Sequence, residues 1–226
     1  MNKDSLYAKL RHIGFNVNAD FVVTEKNLKP DFLLREQDIE NVLLEACYAV
    51  DTDSRMLSLL FSWGKVHGDY IIANKFLKYY KTFAKYKGEC PWVSAFCAYM
   101  VFLKKQKFQK GVVKFSKEIW LGDSPKPVGI EMKGAIEYLK AINIMIPNGS
   151  IRIREEDALT PDQLLKSNLQ YKLRYVYGPS FRADIIFAIQ LGFQNANQIA
   201  KALQISYENV RDVFNEYTKL KELKLN

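Results

Sequence analysis

The chain has 226 residues, 48% of them hydrophobic, with 3 Cys, 2 His and a net charge of +8. That length and apolar fraction suffice for one large or two small domains with cores of their own, and they exclude disorder as the default state. Cys47, Cys90 and Cys97 have no framework spacing, which excludes a disulfide scaffold, and no apolar run reaches bilayer-spanning length.

Met1 to Phe15 carries Asp4, Lys9, Arg11 and His12 among its apolar residues, so no signal peptide is expected, and the expectation is a soluble cytoplasmic protein without membrane contact. The same stretch predicts an amphipathic helix from Asp4 to Ile13, with Leu6, Leu10 and Ile13 inward and Gly14 as its stop. Phe21 to Val23 is expected as a short strand. From Asp38 the spacing is helical: Ile39, Val42, Leu43 and Ala46 recur at three and four residues, and Met56, Leu57, Leu60 and Phe61 do so after Asp51-Thr52-Asp53. Trp63 is expected buried near a helix end, ahead of a glycine stop at Gly68, with His67 satisfied by a backbone carbonyl.

Helical periodicity resumes from Ile71 to Lys87, where Phe76, Tyr79, Tyr80 and Phe83 line the helix and Lys75, Lys78, Lys81 and Lys85 stand between them. A helix from Trp92 to Leu103 is apolar nearly all round and is expected to be buried, followed by an exposed basic connector, Lys104 to Lys110. Residues 65–117 hold 12 Lys against 2 acidic residues, so the basic character belongs to the middle of the chain. Further on, Gly122 to Pro127 reads as a loop, Ile130 to Ile142 as a helix and Ile151 to Arg154 as a strand. Thr160-Pro161-Asp162-Gln163 supplies an N-cap, a proline at the first helical position and a Gln three residues after the cap. One helix carrying Leu164, Leu165, Leu169, Leu173 and Val176 is expected to follow.

The last segment has the most specific spacing. Ser180 to Leu191 predicts a helix with Phe181, Ile185, Ala188 and Ile189 along one stripe, closed by Gly192. A second helix places Ile199, Ala200 and Leu203 inward, a tight turn runs through Gln204 and Ile205, and a third helix, capped by Ser206, buries Val210, Val213 and Phe214. Arg182 to Ile186, Gln198 to Ala200, Leu203, Ile205-Ser206 and Val210 together resemble the helix-turn-helix core of winged-helix transcription regulators of the MarR and ArsR type. Gln204 stands where such proteins usually carry glycine, and Leu220 to Leu225 is expected to supply one short wing strand.

The fold expectation is therefore mainly α: an N-terminal helical bundle or array, residues 1–155, joined to a C-terminal (winged) helix-turn-helix, residues 156–226. The resemblance implies that Ser206, Tyr207, Asn209, Arg211 and Asn215 face the major groove of double-stranded DNA, with Lys201 and Lys219 as flanking phosphate contacts. The layout is also similar to antitoxins and autoregulators that join a winged helix to a domain holding a partner protein. The expected function is a DNA-binding transcriptional regulator or antitoxin-like autoregulator, acting as a homodimer through its N-terminal body, Trp63 included.

No catalytic residues, metal or cofactor are expected. The chain has no phosphate-cradling glycine loop, neither His12 nor His67 sits in a catalytic motif, and Cys90 and Cys97 match no compact zinc module. Glu155-Glu156-Asp157 reads as a solvated acidic turn. The alternative is a non-enzymatic helical scaffold or adaptor whose basic middle, residues 65–117, meets an acidic partner protein or tracks nucleic acid without sequence preference.

Overall fold

A computed structural model describes residues 3–19, 29–122 and 126–222, and these are mainly helical. In chain order the helices are α1 (Lys3–His12), α2 (Pro30–Gln37), α3 (Ile39–Ala49), α4 (Arg55–His67), α5 (Ala73–Lys87), α6 (Pro91–Phe102), α7 (Lys126–Lys133), α8 (Glu137–Lys140), α9 (Pro161–Ser167), α10 (Leu169–Tyr177), α11 (Phe181–Gln190), α12 (Ala196–Leu203) and α13 (Tyr207–Glu222). A minimal parallel pair joins β1 (Ile119–Trp120) to β2 (Ile144–Met145), with Ile119 opposite Ile144. No helix among the described residues is long and apolar enough to cross a membrane.

The helix starts follow from local chemistry. Prolines open α2, α6 and α9, where a missing N–H leaves no bond unmade. Asp38 caps α3 by accepting from the Asn41 N–H, and Thr160 with Gln163 forms a reciprocal capping box on α9. After α1 the chain turns at Gly14, whose φ of +102° suits glycine. A Cβ there would come within 2.2 Å of Leu164 Cδ1, so the same residue lets α9 approach closely.

Two apolar clusters result. The larger gathers α1, α3 to α6, α8 and α9 around the fully buried Phe61, Trp63, Phe96 and Tyr99, and it reaches Tyr171 of α10. The second includes Leu173, two residues on, and holds Ile185, Phe187, Ile199, Leu203 and Val210 of α11 to α13 together with Leu34 of α2. Thus α10 serves both cores, and an N-terminal helix completes the C-terminal one.

Several expectations are corrected. Ile151 to Arg154 is not a strand, because the Arg152 and Arg154 N–H groups donate to side chains of α4, Ser58 Oγ and Ser62 Oγ, rather than to a neighbouring strand. The helix expected over 130–142 breaks at Gly134, where φ is +69°, into α7 and α8. The single helix after Thr160 is two: the buried Asn168 is extended, caps α10 through the Tyr171 N–H, and donates from Nδ2 to the His12 carbonyl. Residues 220–222 of the expected wing strand continue α13. Positions 223–225 lie outside the described residues, as do Phe21 to Val23 and positions 123–125 of the expected loop. Trp63 cannot form part of a subunit contact, since it is fully buried with Nε1 donating to the Ile13 carbonyl at 2.8 Å.

Candidate functional site

Two features carry chemistry. The first is the outer face of α12 and α13. Between these helices Gln204 takes a left-handed conformation, with φ 55° and ψ 42°, and the Ile205 N–H donates to the Ala200 carbonyl at 3.0 Å. The Gln204 carbonyl accepts from Lys78 Nζ of α5, which ties the turn to the N-terminal body. Val210 is buried on the seam and Val213 and Phe214 are half-buried, while Ser206, Tyr207, Asn209, Arg211, Asn215 and Lys219 are all exposed. Arg211, Asn215 and Lys219 recur at four-residue spacing and share one stripe. Glu208, Asp212 and Glu216 lie among them, and two of these hold cations: Arg211 pairs with Asp212 at 3.0 Å and Arg182 with Glu216 at 2.9 Å. Both pairs are exposed, so exchanging either for another anion costs little.

The second feature is a buried charged network that joins four helices. Asp38 and Glu40 come from the start of α3, Lys75 from α5, Gln170 and Arg174 from α10, and Asp184 from α11. Arg174 grips Glu40 with both terminal nitrogens, at 2.6 and 2.7 Å, and donates to Asp184 from Nε at 3.0 Å. Lys75 Nζ contacts Glu40 at 3.0 Å and also Asp38 and Asp184. Gln170 donates to Asp38 and Asp184 and accepts from the Ile39 N–H. Carboxylate oxygens of Asp38, Glu40 and Asp184 lie within 4.8 Å of one another, a spacing suited to a metal ion, but the Lys75 ammonium already meets all three.

Electrostatics divides these acids. Burial pushes the Glu40 carboxyl up, but Arg174 and Lys75 outweigh it and hold the group at about 2. For Asp38, burial dominates and Glu40 and Asp184 add to it, so its carboxyl lies above the usual range despite Lys75. Three carboxyl groups facing two cations is one acid too many, and raising Asp38 is the direction that relieves the excess.

Beside the network, and sharing Asp38 with it, lies a cleft of about 630 Å³ lined by α2, α3 and α5 on one side and by α12 on the other. Its walls include Arg35, Phe83, Tyr86, Lys87 and Lys201. Lys201, expected as a phosphate contact beside α13, therefore opens onto this cleft. Lys75, expected outward with the other lysines of α5, is instead 1% exposed; Lys78, Lys81 and Lys85 are exposed. The sequence does contain a hint, because Lys75 and Tyr79 are four residues apart and so share the buried face. Comparisons with family models, with curated proteins and with solved structures find no match.

Proposed function

We propose that the chain is a DNA-binding transcriptional regulator in which α12 and α13 form a helix-turn-helix and the exposed face of α13 enters the major groove. The single observation that carries this reading is the left-handed Gln204 turn, which sets α13 on α12 with Ile199, Leu203 and Val210 buried between them and the polar residues of α13 uncovered. Asn209 and Asn215 suit adenine edges, Arg211 suits guanine, and Ser206 at the head of α13 suits a phosphate. Lys81 and Lys85 of α5 add phosphate contacts, and two chains bind as a homodimer, each reading one half-site.

The test is affinity for the upstream DNA of the chain's own gene and for a scrambled duplex, measured against salt. Asn209→Ala with Arg211→Ala should cost about 1–3 kcal/mol per lost base contact and lower the ratio of specific to scrambled binding. Lys81→Gln with Lys85→Gln should weaken both duplexes alike and reduce the salt slope by about one per lost phosphate contact. An unchanged ratio in the Asn209 and Arg211 variant removes the recognition-helix assignment and favours the scaffold reading, with the α5 lysines facing an acidic partner.

A further inference from the structure

We propose that the outer face of α10 is the surface through which two copies of the chain form a homodimer. This rests on the reading that the chain binds as a homodimer, and it adds where the two copies meet.

The two faces of α10 differ in character. The inner face is fixed: Gln170 and Arg174 enter the charged network, while Tyr171 and Leu173 are buried in the two apolar clusters. At about 3.6 residues per turn, Leu169, Lys172, Tyr175 and Val176 fill the remaining arc, and Tyr177 ends the helix. All five are exposed, Tyr175 at 58% and Val176 at 63%. Tyr175 is nonetheless held in place, because its ring stacks on Tyr70 at 6.4 Å and Tyr70 lies 4.4 Å from the buried Tyr171. An aromatic ring ordered before association loses less freedom when it is covered, which suits the anchor of an interface.

Charge selects a second copy as the occupant. Lys172 is the one exposed charged residue from 169 to 179, in a chain of net charge +8 that exposes lysines along α5 and residues 104–117. Two such chains repel each other through their basic surfaces and can meet where the surface is apolar and nearly uncharged, whereas an acidic partner protein is drawn to the lysines. In an antiparallel pair related by a two-fold axis, the Leu169 end of one α10 meets the Tyr177 end of the other, so apolar groups cover apolar groups. The Lys172 stem packs along that seam while its ammonium stays in water. Two tyrosines near half exposure, with Val176 and Leu169, offer about 400 Å² of side chain, roughly half of what each partner of a standard interface buries. Exposed Ser167 and Pro179 extend the face at its two ends, which places the dimer in the small class of interfaces.

Sedimentation equilibrium of the full chain over a range of concentrations tests the proposal. Monomer and dimer should exchange with a dissociation constant on the order of micromolar. Added salt should tighten the dimer, because it screens the repulsion between two chains of +8. Tyr175→Ala and Val176→Lys change exposed side chains, so each should keep the thermal melt while weakening association about tenfold or more. Val128→Lys, at a 53% exposed position of α7, should change it by less than about twofold. A chain that stays monomeric at about 100 micromolar overturns both the proposal and the homodimer reading. A dimer that both α10 variants leave intact, or that Val128→Lys weakens as much as they do, overturns the proposal alone. A dimer that salt weakens also overturns it, in favour of a contact between charged surfaces.

Discussion

His67 is fully buried, and its two ring nitrogens have partners that fix its state. Nε2 lies 2.8 Å from the Leu159 carbonyl, which can only accept, so Nε2 carries the proton; Nδ1, 3.0 Å from the Tyr171 hydroxyl, is left to accept. Burial pushes the ring down to about 4 against a slight upward pull from that carbonyl. A folded value below the unfolded one means that the unfolded chain binds the proton more readily. The contribution to stability is therefore full above the unfolded value of 6.5 and is lost as pH falls from there through the folded value of about 4. His12, also lowered to about 4 by burial, acts in the same window. Melting temperature should fall across this window, and His67→Gln should flatten the decline while lowering stability at pH 7. A decline of unchanged steepness in that variant would show that His67 does not drive it. The carbonyl partner is legible in the sequence because a buried histidine beside a helix end meets carbonyls; Tyr171 is not, since it comes from 104 residues away.

At the scale of elements, periodicity identifies where helices occur far better than where they break. The capping box at Thr160 and the stop after α1 are local, and they stand as read. The break between α9 and α10 has one local signal, Asn168, a favoured N-cap residue that accepts from the Tyr171 N–H, whereas its Nδ2 contact to the His12 carbonyl is not legible in the sequence. The α12–α13 turn lies between these cases. Gln204 is readable as a residue in the position of a glycine, and it does adopt the left-handed conformation that glycine favours. What the sequence does not disclose is the Lys78 contact to its carbonyl, which helps to hold the strained residue. Because Gln204 is exposed and that contact uses only backbone, Gln204→Gly should relieve strain without losing a partner. Urea unfolding should show a gain of up to about 1 kcal/mol. A loss would mean that the glutamine side chain itself holds the turn.

Across the whole molecule, the charged network does what neither apolar cluster does alone, since it connects α3 and α5 to α10 and α11 through groups that must find each other. Summing charge along the sequence assigns Lys75 to a basic surface, because no local pattern shows that Asp38, Glu40 and Asp184 will surround it. An ammonium buried among carboxylates is costly to form and more costly to break: removing one partner leaves unmatched charge where water cannot reach. Lys75→Met should therefore cost about 3–5 kcal/mol in urea unfolding of the full chain. Asp38 is the acid whose carboxyl burial pushes up, with Glu40 and Asp184 adding to it, so adding Asp38→Asn should recover part of the loss, with a coupling of about 0.5–3 kcal/mol. Glu40→Gln in the same background should recover less, because Arg174 still demands a charged partner there. If Lys75→Met costs under about 1 kcal/mol, or if Asn at 38 and Gln at 40 rescue it equally, the network is not what fixes α11 against the N-terminal helices.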